Sequence, residues 1–92
     1  MEAPKFRLEV SYNETTGDPV AAYVRVRDGK VAHTKEISAG VAFADYGADG
    51  ALLGIELLQP CRLEILEGVS ETEPEEVRQF LRSGVRKEMI FA

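Results

Sequence analysis

Cysteine is nearly absent: the chain has one, Cys61, so it can form no intramolecular disulfide and no thiolate cluster for zinc or an iron–sulfur centre. Long apolar runs are missing as well. None approaches the ~18 residues that a membrane span requires, and residues 1–6 lack the apolar stretch of an export signal. The expected location is therefore the cytoplasm, with no membrane contact. Positive charge is in deficit, since 11 Lys and Arg against 16 Asp and Glu give a net charge of −5. Such a chain lacks the basic footprint that neutralises phosphates, and no nucleic-acid partner is expected. The 8 glycines, at 17, 29, 40, 47, 50, 54, 68 and 84, are scattered; neither Gly-x-Gly-x-x-Gly nor Gly-Lys-Ser/Thr is there to cradle a phosphate. No Gly-x-Ser-x-Gly nucleophile turn occurs. His33, the single histidine, has Glu36 nearby in sequence but on the opposite face of a regular strand, so it gains no carboxylate to set its protonation. The chain reads as a non-enzyme with no catalytic residue and no cofactor.

What is present is ordinary globular material, 45% hydrophobic and 29% charged over 92 residues. That length holds one small domain, residues 1–92, whose modest core makes self-association a natural way to bury more surface. The first part alternates in period two. Phe6, Leu8, Val10 and Tyr12 alternate with Lys5, Arg7, Glu9 and Ser11, which puts the apolar set on one strand face. Val20, Ala22, Val24 and Val26 alternate with Ala21, Tyr23, Arg25 and Arg27, and Asp28-Gly29 follows as a tight-hairpin signal. Residues 31–38 are more polar and read as an edge strand whose inward Lys35 discourages foreign pairing. Residues 41–46 and 52–58 flank Asp49-Gly50, read as a type I′ turn, and Pro60 stops the ladder. The expectation is an α+β fold: an antiparallel meander of about five strands joined by sequential hairpins, with a C-terminal helix packed on the sheet.

The helix has marked ends. Thr72 and Glu75 form a capping-box pattern, Pro74 falls in the first turn, and Gly84 suits a left-handed C-terminal cap. Val77, Phe80 and Leu81 supply the apolar stripe. Residues 63–69 read as a turn. The tail, with Met89 and Phe91, is apolar enough to pack on the sheet or on a second subunit.

Three groups of residues are candidates for function. Asp45, Asp49 and Glu56 nearly reproduce the carboxylate spacing of a calcium loop, but Gly47 stands at the loop's third position, where one more oxygen ligand belongs, and the flanks alternate as strands. A turn with acidic flanks is the favoured reading, with a divalent-metal or small-ligand site as the alternative. Tyr23, Arg25 and Arg27 share one strand face, and Tyr and Arg are enriched where subunits meet. They are the first interface candidates, joined by Phe80, Met89 and Phe91, and a homodimer is expected. Glu64, Glu67, Glu71, Glu73, Glu75 and Glu76 follow one another with no Lys or Arg among them. They offer a docking surface for a basic protein partner.

The middle of the chain is similar to a known family. The segments 22–26, 28–32, 36–41 and 45–58, ending in Gly54-Ile55-Glu56-Leu57-Leu58, resemble the YuzE-like family of small bacterial domains of unknown function. The resemblance covers about residues 5–58, with the acidic connector, helix and tail of 59–92 outside it. Two departures stand out: a longer stretch after Tyr12-Asn13, and Gly47 where the family often has a second aspartate. The resemblance implies a compact antiparallel sheet with no catalytic residues to transfer, and an antitoxin-like or accessory role beside small toxin-like proteins. The functional expectation is a non-enzymatic protein-interaction module.

Overall fold

The computed structural model describes residues 5–59, 61–84 and 90–91, with side chains for 5–59 and 62–84. Five strands form one antiparallel sheet: β1 (Arg7–Tyr12), β2 (Pro19–Arg25), β3 (His33–Ser38), β4 (Ala42–Tyr46) and β5 (Leu52–Leu57). A short parallel pair, β6 (Cys61–Arg62) and β7 (Ile90–Phe91), stands apart, and two helices, α1 (Leu63–Val69) and α2 (Glu75–Ser83), lie between them in sequence. The α+β fold with five antiparallel strands and a C-terminal helix is as the patterning predicts.

The strand order is not that of a meander. It runs β1-β2-β5-β4-β3, so β2 pairs with β5 and not with β3. Three hairpin-linked strands, β3 to β5, return beside β2 in a Greek-key arrangement. The Asp28-Gly29 hairpin is therefore not formed; Asp28 pairs with Lys5 at 3.1 Å, and the 26–32 segment carries the chain across to the far edge. The reason lies in burial. β5 is the most apolar strand, five of its six residues are buried, and the centre of the sheet is where that side-chain set is covered most fully. β3, with exposed His33, Thr34, Lys35 and Glu36, takes an edge as expected.

One face of the sheet carries the core. Leu8, Val24, Ile55 and Ala44 form one cross-strand row, and Val10, Ala22, Leu57 and Ala42 the next. Leu66 from α1 and Val77 and Leu81 from α2 close this face, each essentially inaccessible to solvent. Phe80 stacks on Phe6 with ring centroids 4.6 Å apart, which anchors α2 beside the start of β1.

Local expectations that fail do so for identifiable reasons. Residues 63–69 are helix, not turn; burial of Leu66 holds a segment too short for periodicity to reveal. Thr72 does not cap α2. The N-cap is Pro74, with no side-chain cap bond, because a helix starting at Thr72 would require αR backbone at Glu73, the conformation a following proline disfavours. Gly84 ends α2 at φ −90°, not left-handed; a Cβ there would collide with the Phe80 ring and carbonyl. The β4–β5 link is not type I′. Gly50 alone has positive φ (86°), Gly50 N–H donates to Gly47 O at 3.0 Å and Gly47 N–H to Ala51 O at 2.9 Å, the three-residue hairpin with a bulge glycine.

Candidate functional site

The face of the sheet away from the helices is open among the described residues. Two cross-strand rows build it. The first is Arg7, Arg25, Gly54, Asp45 and Thr34; the second is Glu9, Tyr23, Glu56, Phe43 and Glu36. Each row draws one residue from every strand in the order β1-β2-β5-β4-β3, since residues of one phase point to one face.

Its centre is organised by Gly54. With no side chain there, the Tyr23 ring lies across β5 against the backbone, so that a Cβ on Gly54 would overlap the hydroxyl and ring of Tyr23. The phenol thereby reaches two strands over and donates to Asp45 Oδ2 at 3.0 Å. Thr34 donates to the other carboxylate oxygen, Oδ1, at 2.6 Å. Four strands are tied by these contacts. The Arg25 guanidinium lies 5.5 Å from the centroid of the Tyr23 ring, within cation–π range, and its Nε is buried with no hydrogen-bond partner. No carboxylate pairs with Arg25 among the described residues.

Burial, and then the Asp45 carboxylate that accepts its hydrogen bond, push the Tyr23 phenol up from 10.0 to about 12. Arg25 opposes that shift. Because the folded value exceeds the unfolded one, the contribution to stability is complete below pH 10 and is lost as the pH rises through about 12. The expected observation is that the difference between wild-type and Tyr23→Phe absorbance titrations shows one phenol ionising near pH 12. A difference curve centred at the ordinary tyrosine value would contradict the contact. Tyr23→Phe should also cost about 1 kcal/mol in denaturant unfolding, the net worth of one neutral hydrogen bond.

The predicted candidates are distributed as follows. Tyr23 and Arg25 share the open face. Arg27 does not, because Val26 and Arg27 both donate to Leu53 O, a local bulge that ends the alternation and turns Arg27 inward. Arg27 is 1% exposed; its guanidinium donates to Leu52 O at 2.6 Å and pairs with Glu73 at 2.9 Å. Phe80 is half-buried in its stack with Phe6. Met89 and the Phe91 side chain lie outside the described residues.

Asp45, Asp49 and Glu56 are not brought into one cluster, and no group of three potential metal-ligating side chains occurs among the described residues. Asp45 serves Tyr23 and Thr34, Asp49 Oδ1 accepts from Ala51 N–H at 3.0 Å, and Glu56 stands exposed between Tyr23 and Phe43. The flanks of this loop are strands, as the alternation required.

The acidic run is largely neutralised by arginines. Glu64 pairs with Arg62, Glu67 with Arg82, Glu73 with Arg27 and Glu75 with Arg78. Only Glu71 and Glu76 of the run have no ion pair among the described residues. His33, at the β3 edge, stacks on Tyr46 at 5.2 Å. Sequence reasoning missed Phe43, Thr34 and the Tyr23–Asp45 bond, all of which depend on strand order. The signal within reach was Gly54, because a glycine inside a strand marks close approach by another group.

No helix of the described residues is long and apolar enough to cross a membrane. Residues 21–59 match the model of a family described as a protein of unknown function (DUF2283). No curated protein and no solved structure matches the chain. The matched span begins inside β2 and ends just after β5, leaving out β1 and both helices. Over those four strands, which carry Tyr23, Arg25, Phe43, Asp45, Gly54 and Glu56, the chain is similar to an uncharacterised small domain family.

Proposed function

We propose that this protein is a non-enzymatic interaction module of the YuzE-like kind, antitoxin-like or accessory in role and cytoplasmic, that engages protein through the open face of its sheet. The observation that carries the reading is the composition of that face. Tyr23, Phe43 and Arg25, residue types enriched at protein interfaces, are presented together on β2 and β4, and Gly54 and Asp45 hold Tyr23 in one orientation. Aromatics with fixed orientation bury surface on contact at little entropic cost. The second candidate surface, the acidic run, is weakened as a docking site for a basic partner by its four internal arginine pairs.

The test is capture from the native host with two baits, the wild-type chain and Phe43→Asp, followed by mass spectrometry. Phe43 is half-buried on the open face and takes no part in the helix-side core, so the substitution alters the surface and leaves the core intact. The expected result is a protein retained by the wild type and lost from the variant. Recovery of the same proteins by both baits would overturn the assignment of this face.

A further inference from the structure

We infer that the free edge of β1 pairs with β1 of a second copy of this chain, antiparallel about a two-fold axis at Leu8, so that two five-stranded sheets join into one. This goes beyond the interaction-module reading and leaves the open face uncovered. β1 ends the strand order, and among the described residues only β2 pairs with it. The Lys5 N–H donates to Val26 O at 2.8 Å, so Lys5, Arg7, Glu9 and Ser11 turn their backbone groups toward β2. By alternation Phe6, Leu8 and Val10 turn theirs outward.

Proteins blunt such edges, and the two edges of this sheet differ in that respect. β3 is exposed and polar from His33 to Glu36, sets Lys35 opposite Ala44 on the core-side phase, and shifts register between Glu36 and Ser38. β1 has neither proline nor glycine and keeps a regular register from Arg7 to Ser11. Its apolar side chains are also incompletely covered: Leu8 and Val10 are half-buried, and Phe6 is 38% exposed.

The residues of β1 select the register. With Leu8 opposite Leu8 of the second copy, Phe6 meets Val10 on the core side, Arg7 meets Glu9 on the open side and Lys5 meets Ser11, each twice. No directly opposed pair is of like charge. Sliding one copy by two residues either way would set Arg7 against Arg7 or Glu9 against Glu9, which is destabilising. Arg7 and Glu9 already pair within one chain at 3.3 Å, so the join makes an alternating ring of four charges whose like members meet only on the diagonals, about 7–8 Å apart. Arg7 also stands directly opposite Arg25, and Glu9 of the second copy extends that row with a carboxylate. The Phe6–Phe80 stack holds α2 near the start of β1; the two Phe6 positions lie four residues, roughly 13 Å, apart along the joined strands, which leaves room for a helix about 10 Å across at each. One strand pair buries less than the ~1,200 Å² of a standard interface, and each copy carries a net charge of −5, so the dimer is expected to be weak.

The test combines sedimentation equilibrium with amide hydrogen exchange. The wild type should pass from one chain toward two as its concentration rises to about 1 mM, and the Leu8 and Val10 amides, open to water in the single chain, should become protected in step. Arg7→Glu and Glu9→Arg each place like charges across both contacts and should weaken association about tenfold. Both positions are 61% exposed, so the fold is expected to persist. Mixed together, the two variants restore both opposite-charge contacts in a heterodimer, and association should return toward the wild-type level. A single-chain mass at every concentration would overturn the inference, as would a dimer whose Leu8 and Val10 amides exchange as fast as in dilute solution, folded variants that associate as the wild type does, or a mixture that stays monomeric. Should a variant fail to fold, the wild-type exchange measurement decides. None of these outcomes touches the interaction-module reading, which the bait comparison tests at Phe43 on a different surface.

Discussion

Arg27→Ala is expected to destabilise the fold by about 3–5 kcal/mol, the cost of leaving one member of a buried ion pair without its partner. Arg27 is fully enclosed, and its two terminal nitrogens are spent on different elements: one on Leu52 O in β5, the other on Glu73 before α2. Removing the guanidinium leaves a cavity at the end of β2, an unsatisfied carbonyl and a carboxylate only 16% exposed. Arg27→Met separates these terms. It fills most of the volume and still abandons Leu52 O and Glu73, so a loss of about 1–3 kcal/mol is expected. Glu73→Gln keeps an acceptor for the guanidinium and removes its countercharge, with a similar expected cost of about 1–3 kcal/mol. Denaturant unfolding of the three variants checks this order. If Arg27→Ala changes stability by less than 1 kcal/mol, Arg27 is not the tie between sheet and helices described above.

The second large effect is expected at Gly54. A Cβ there meets the Tyr23 hydroxyl and ring, so Gly54→Ala must push the ring off the sheet and break its bond to Asp45. Lost packing and one lost hydrogen bond together predict a destabilisation of about 2–3 kcal/mol. The diagnostic comparison is a double-mutant cycle. In a Tyr23→Ala background the ring that a Gly54 Cβ would meet is gone, and Gly54→Ala should become neutral or mildly stabilising, because alanine gives up less backbone entropy than glycine. Additive effects in the cycle would show that Gly54 and Tyr23 act independently.

Much of the strand content was legible because one sheet face is buried and the other is not, which imprints period two on Leu8, Val10, Ala22 and Val24. The edge position of β3 was legible for the same reason, from its polarity. Strand order was not. Asp28-Gly29 has the residues of a hairpin, but local turn chemistry cannot show that β2 gains more by pairing with the apolar β5. Arg27 continues the alternation of Tyr23 and Arg25 on paper; a bulge at Val26 reverses it, and bulges leave little trace in a single sequence. The capping box at Thr72 was overridden by the proline two residues on and by the demand of Arg27 for Glu73. Of the candidate site, Tyr23 and Arg25 could be found from composition and phase. Phe43, Asp45 and Thr34 required knowledge of which strands lie side by side.

The central claim is that the outward rows of β2, β5 and β4 form a contact surface while the inward rows form a core. An NMR titration with the protein captured by the wild-type bait tests it most directly. As that protein is added, resonances of Tyr23, Arg25, Phe43, Asp45, Gly54 and Glu56 should shift together, while those of Val24, Ile55, Ala44, Leu66 and Val77 stay fixed. Shifts centred on α1 and α2 would contradict the account.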